Sequence, residues 1–335
     1  MNSLSFQRGG GNPLVTLSIG QTAIIEKWLD KMGIENCTIN KDLTIDVNGS
    51  VSLQRKKLGN FPTFIKFNKV SEHFFCQSNS LVSLKGSPNE VGGIYDCSNN
   101  NLTSLKYCPE NVGSFVCSKN KISSFRYFPS IIKQSLVISH NRFTSLKGLP
   151  KKVNIFYCND NLLTSLKGCP GIITDDFDCS HNHIKSLLGL RTKKMDNFRC
   201  SNNQLSSLKY APEIVVRDYD CSSNKLKSLK GAPKKVRGVF RCDHNQLKNL
   251  KGAPERVTCS FHCGFNQLTS LKGAPKNVLG GFDCSNNKLK SIKGVEIEKV
   301  KGNFYCFKNP GNFTEVYVRK YINIRGSVRL RNARV

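Results

Sequence analysis

The chain has 335 residues, 38% of them hydrophobic, enough for a folded core and well above disordered composition. Lysine and arginine number 51 against 23 acidic residues, a formal charge of +28, which bears on partners and solubility and not on fold. No run approaches the roughly 18 apolar residues of a membrane span, so a membrane partner is not expected.

Residues 1–20 hold a glycine run at 9–11 and no apolar signal core, which makes the cytoplasm the expected compartment. In QTAIIEKWLDKM the apolar residues recur at helical spacing and Gly33 follows as a C-cap, predicting a helix over 21–32. LTIDVNGSVSL then alternates around Asn48-Gly49, the signal for a hairpin near 43–53. Residues 1–69 are therefore expected to be an N-terminal arm and cap.

A repeat occupies residues 70–312. Cysteine stands at Cys76, Cys97, Cys117, Cys158, Cys179, Cys200, Cys221, Cys242, Cys263, Cys284 and Cys306, with Ile138 filling the one gap. The step is 21 residues, shortened to 20 from Cys97 to Cys117 and from Ile138 to Cys158, and lengthened to 22 at the end. Asparagine follows three residues after every ladder position, from Asn79 to Asn309. An aromatic precedes it by two, except at Leu136, and aliphatic or aromatic residues follow at five and eight in every turn but the last. Twelve matches in one register exclude chance.

The F-x-C alternation places two side chains on one face of a short strand. A buried asparagine beyond it can satisfy backbone groups of neighbouring turns. The small thiol balances the bulky ring, so the ladder cysteine is a core residue. Cys108 and Cys169 take the small position before proline that Ala211, Ala232, Ala253 and Ala274 fill elsewhere. Stacked thiols fit a reducing compartment. CSFHC at 259–263 looks like a metal motif, but Cys263 belongs to the core and no second ligand pair follows, so neither zinc nor any cofactor is expected. Residues 313–335 complete the chain, with a closing helix or strand over 313–324 and a tail bearing Arg325, Arg329, Arg331 and Arg334 without an acid.

Written out, the repeat V-x-G-x-F-x-C-S-x-N-x-L-x-S-L-K-G-A-P resembles the leucine-rich repeat, with Phe and Cys replacing two strand leucines. The resemblance implies an α/β solenoid of about 12 turns: right-handed, with short parallel strands, a mostly irregular convex side and a cap at each end. The segment WLDKMGIENCTINKDLTIDVNGSVSL resembles the leader of cysteine-bearing repeat proteins of bacteriophages and some bacteria. It implies such an origin, with the host cytoplasm or the virion as location, and no activity. Bacterial effector ubiquitin ligases also carry short proline-bearing leucine-rich repeats, with a catalytic Cys-x-Asp motif. CND at 158–160 matches it, but Cys158 is a ladder position and a buried thiol is a poor nucleophile. No enzyme is expected, and no small-molecule substrate.

Function then falls to outward positions. The residue between aromatic and cysteine runs Phe75, Asp96, Val116, Val137, Tyr157, Asp178, Arg199, Asp220, Arg241, His262, Asp283 and Tyr305. Its first part is mostly apolar, and Ile94 and Ile155 extend it. Phe75, Ile94, Val116, Val137, Ile155 and Tyr157 are the candidate protein-docking surface on the concave side. Its second part alternates in sign, and Asp176, Asp178, Asp218 and Asp220 are expected to cage Arg199.

Nine residues after the ladder position stand Lys85, Lys106, Arg126, Lys147, Lys167, Lys209, Lys230, Lys251, Lys272 and Lys293, broken by Leu188. The fold needs a polar residue there, not a cation. Like charges about 5 Å apart repel by near 1 kcal/mol per neighbour before screening. A basic stripe therefore points to an acidic partner, a nucleic acid or an acidic protein face. No recognition helix or zinc module serves sequence reading, and no aromatic platforms are expected along the stripe. The leading expectation is a binding protein that docks a protein on the apolar row and an acidic surface on the stripe and arginine tail. Sequence-nonspecific contact to RNA, DNA or a ribonucleoprotein, and a structural role in a phage particle, are the alternatives.

Overall fold

The computed structural model describes residues 14–331, with side chains from residue 20 onward. The chain divides into two compact units, Met1–Phe143 with Gly148–Val153, and Thr144–Lys147 with Asn154–Val335. Each winds as a right-handed solenoid of short parallel strands joined by irregular loops.

The first unit begins with a helix over Leu14–Met32, seven residues longer at its start than the predicted 21–32. Ile25, Trp28 and Leu29 are its buried face, and Trp28 meets Phe67 with ring centres 6.5 Å apart. Gly33 ends it at φ +71, donating its N–H to the Asp30 carbonyl at 3.0 Å.

The hairpin predicted near 43–53 does not form. Ile45–Val47 pairs antiparallel with Cys37–Ile39 before it and parallel with Phe67–Val70 after it, while Val51–Ser52 pairs parallel with Phe74–Phe75. The Asn48-Gly49 bend is thus part of a solenoid turn. Its flanking strands bury Ile45, Val47 and Val51 by stacking on the next turn, which a two-stranded ribbon could not do. Leu53 takes the place of a ladder cysteine: its N–H donates to the Phe75 carbonyl at 2.7 Å, and its carbonyl accepts from Asn79 Nδ2 at 2.8 Å.

Further along, Glu90–Asp96 and Asn111–Val116 run as unusually long strands. In the second unit each turn carries two shorter pieces instead. The F-x-C strands stack from Ile155–Tyr157 to Val328–Arg329, and a separate seven-stranded parallel sheet runs from Lys194–Met195 to Asn323–Ile324.

The inward face explains the refrain. Ring centres of Phe156, Phe177, Phe198, Tyr219, Phe240, Phe261, Phe282 and Phe304 follow one another at 5.1–5.8 Å, all fully buried. Beside them the ladder thiols also act as weak donors: Cys263 Sγ lies 3.1 Å from the Asp283 carbonyl and Cys242 Sγ 3.3 Å from that of His262. All 15 cysteines are free.

Asparagine brackets one turn to the next. Asn203 Nδ2 donates to Cys179 at 3.0 Å, Cys200 at 3.2 Å and Ser201 at 3.1 Å, all carbonyls, and its Oδ1 accepts the Ile184 N–H at 2.9 Å. The bend it braces has a cost: the residue before each asparagine, from Ser78 to Lys308, sits at φ +50 to +56 in every turn.

At the far end a helix over Glu315–Tyr321 starts at Thr314, whose hydroxyl accepts the Tyr317 N–H. The tail then pairs back, Val328–Arg329 against Phe304–Tyr305, so residues predicted as a basic tail add a strand to the solenoid.

Candidate macromolecule-binding surfaces

The strand pairings bring the outward row together as adjacent residues on successive turns. In the first unit Phe75, Asp96, Val116 and Val137 stand in register. Each is half-buried, as is Ile94. Ile155 and Tyr157 belong to the second unit and are half-buried too, with the Tyr157 hydroxyl donating to Asp176 at 3.0 Å.

Among the described residues no direct ion pair closes on Arg199, although its charge is felt at Asp178. Its neighbours in register are Asp178 and Asp220, yet each carboxylate accepts instead from its own turn: Asp178 from the Ser180 N–H and hydroxyl, Asp220 from those of Ser222. An Asp two residues before a Ser closes a local ring that a long guanidinium on the next strand cannot displace. Asp218 accepts the Val239 N–H at 2.8 Å and Asp176 accepts from Asn197 at 2.7 Å. Burial raises the Asp178 carboxyl above its ordinary value, against these hydrogen bonds and the Arg199 charge, and raises Asp96 likewise. His262 is pushed the other way, below the usual imidazole range, by burial and then by Arg241.

The stripe is built differently. The aliphatic residue before each cation is buried in most turns, and a serine two residues before it accepts the cation's own backbone N–H, as in Ser104 to Lys106 at 3.1 Å and Ser270 to Lys272 at 3.0 Å. This local turn aims the side chain outward. Lys85, Lys106 and Arg126 in the first unit, and Lys147, Lys167, Lys209, Lys230, Lys251, Lys272 and Lys293 in the second, are all exposed. Among the described residues, none of these ten forms an ion pair with a carboxylate. In the C-terminal segment Arg325, Arg329 and Arg331 are exposed as well, while Arg334 lies outside the described residues.

The expectation that the stripe lacks aromatic platforms is wrong. Glycine follows the stripe position in most turns, at φ +74 to +111, but Tyr107, Tyr127 and Tyr210 replace it at φ +71, +64 and +72. All three rings are exposed, and each carries its neighbouring cation over its face: Lys106 at 5.0 Å, Arg126 at 4.9 Å and Lys209 at 5.1 Å from the ring centre. The signal was legible in KYCP, RYFP and KYAP, where most other turns read KGxP.

In the first unit Tyr107 and Tyr127 border a groove of about 940 Å³, which Phe61, Phe128, Lys66 and Lys85 also line. Cys108 Sγ donates to the Tyr127 carbonyl at 2.8 Å along this wall.

Burial holds the Cys158 thiol well above its ordinary pKa, which removes the nucleophile that CND would need. No cluster of three or more His, Cys, Asp or Glu among the described residues could hold a metal ion. No described helix is long and apolar enough to cross a membrane.

No protein-family model and no curated protein matches the sequence. Among solved structures the chain is similar to the leucine-rich repeat domain of APL1B, at 15% identity over 85% of this chain and 89% of that one, with a TM-score of 0.58. It is more distantly similar to YopM from Yersinia enterocolitica WA-314, at 16% identity over 78% of each chain and a TM-score of 0.37. The functional domain of InlJ from Listeria monocytogenes, which includes a cysteine ladder, matches at 14% identity over 77% of this chain and 68% of that one, TM-score 0.44. The APL1B likeness shows the fold alone, a leucine-rich-repeat-like solenoid.

Proposed function

We propose that this protein is a non-enzymatic binding scaffold whose stripe of cations engages an acidic macromolecular surface. The observation that carries this reading is the exposure of ten stripe cations without one carboxylate partner. A solenoid copying its own turns could alternate glutamate with lysine and remove the self-repulsion. An acidic partner removes it on binding. Arg325, Arg329 and Arg331 add to the same charge.

A second surface is the outward row of Phe75, Ile94, Val116 and Val137 in the first unit, with Ile155 and Tyr157 in the second, as a docking face for a protein partner. What favours it is the in-register apolar set, half-buried and open on one side, interrupted by Asp96. The bacteriophage or bacterial type suggested by the leader segment suits a scaffold of this kind.

The test is binding of labelled RNA, duplex DNA and polyglutamate across a salt series. Four phosphate contacts predict a loss of about a hundredfold between 50 and 200 mM salt. Reversing Lys85, Lys106, Arg126 and Lys147 to glutamate should abolish most of that dependence. Absence of polyanion binding at low salt, or indifference to the reversal, would remove the stripe from the function and leave the apolar row.

A further inference from the structure

The groove of the first unit goes beyond a generic acidic partner. Resting on the stripe reading, we propose that it binds single-stranded nucleic acid, with bases stacking on Tyr107 and Tyr127 and phosphates held by Lys85, Lys106 and Arg126.

Three observations converge. First, two neighbouring turns replace the repeat's glycine with tyrosine. Glycine is the residue of choice at positive φ, and a bulky side chain there costs roughly 1–2 kcal/mol. The backbone answers by settling at φ +71 and +64, close to the left-handed minimum, where most glycine turns lie at +84 to +111. Second, the rings do not repay that cost by burial: Tyr107 is 46% exposed and Tyr127 47%. Third, each ring lies beneath its own stripe cation, at 5.0 and 4.9 Å, beside a groove of about 940 Å³. A flat aromatic face and a positive charge thus recur together in two successive turns.

That alternation matches a nucleic-acid strand, which presents a flat base and an anionic phosphate once per nucleotide. An acidic peptide would use the cations and leave the rings idle. Turns stack about 4.8 Å apart, wider than the 3.4 Å rise per base of a stacked helix. One base per turn therefore requires an unstacked strand, which favours single strands over duplex. Base–aromatic stacking tolerates any sequence, because every base has a flat face. Glu110 is the acid on the groove wall, set against Lys66 and Lys85 on the same wall.

The experiment compares a fluorescent 12-nucleotide oligouridine, a 12-base-pair duplex and polyglutamate by anisotropy, with the full chain and with the double variant Tyr107→Gly/Tyr127→Gly. Glycine is native to this position in other turns, so the variant restores the common backbone, and circular dichroism confirms its fold. The expected result is a loss of oligouridine affinity of at least tenfold, with duplex and polyglutamate binding unchanged. Tyr210→Gly, in the second unit, should leave oligouridine affinity within twofold. Equal loss for oligouridine and polyglutamate would overturn the proposal in favour of an acidic peptide. Unchanged oligouridine binding would overturn it while leaving the stripe reading intact. Absence of binding to all three polyanions would remove both.

Discussion

Tyr95 in the first unit and Tyr219 in the second hold the same place in their turns, two residues before a ladder cysteine, and both are fully buried. The Tyr95 hydroxyl lies 2.9 Å from that of Ser87, ten residues before its cysteine. At the equivalent place before Tyr219 stands Ala211, and the Tyr219 hydroxyl has no hydrogen-bond partner among the described residues. Outward positions show the opposite tolerance. Tyr107 and Tyr127 in the first unit, and Tyr210 in the second, replace glycine with their rings outside the core. An inward hydroxyl must find its partner inside the core or go without one, whereas an outward ring is limited only by the backbone of its own turn.

The largest effect should come from the brackets. Asn203→Ala in the second unit strands the Ile184 N–H and removes one of two donors from the carbonyls of Cys179, Cys200 and Ser201, at a cost of about 3 kcal/mol in all. Asn120 in the first unit makes the same bonds but is half-buried, so Asn120→Ala should cost about half as much. Urea midpoints of the two variants measure the difference, and equal shifts would contradict it.

Next is the turn glycine. A Cβ at Gly189 would sit 2.4 Å from the Leu166 carbonyl oxygen, and its φ is +111. Gly189→Tyr should lose about 2–3 kcal/mol, whereas Tyr107→Gly should stay within about 1 kcal/mol of wild type. Thermal melts showing both neutral would mean that the turns can relax anywhere.

Tyr219→Phe should then stabilise by about 1 kcal/mol, by removing a stranded hydroxyl, and Ala211→Ser should do the same by supplying a partner. Tyr95→Phe should destabilise by a similar amount, because it orphans Ser87. Opposite signs from one chemical change are the readout.

The smallest effect is with pH. Burial raises the Asp96 and Asp178 carboxyls above the ordinary value of 3.8, so between that value and their raised ones the folded state binds more protons than the unfolded. Their contribution to stability is therefore greatest at the acid end of that window and falls as pH rises through it. Asp96→Asn should flatten this part of the stability curve, read by denaturation at stepped pH.

Much of the fold was legible because its signals are local and repeated. The spacing of Cys, Asn and the aromatics gave strand, bend and core before any coordinates, since each turn meets the same neighbours. The Asn48-Gly49 hairpin misled because turn chemistry specifies a bend and not which strand lies alongside. The Arg199 cage failed because side chains in register on neighbouring strands compete with hydrogen bonds two residues away in sequence, and the nearer serines win. The stripe was visible in the periodicity of lysine. Its aromatic companions were visible too, but a tyrosine in a glycine's place gains meaning only when its ring is found outside the core.

The sequence by itself determined that turns would stack, that cysteine and asparagine would point inward, and that a line of positive charge would face out. Those follow from periodicity, because one turn's geometry repeated at a fixed step fixes the direction of every side chain in it. Tertiary structure decided which strands pair at the first turn, that the arginine-bearing end adds a strand of its own, that Tyr219 buries an unpaired hydroxyl, and that Tyr107 and Tyr127 edge a groove. These depend on contacts between residues about 20 positions apart, where packing against the adjacent turn selects among conformations that local propensity leaves equal.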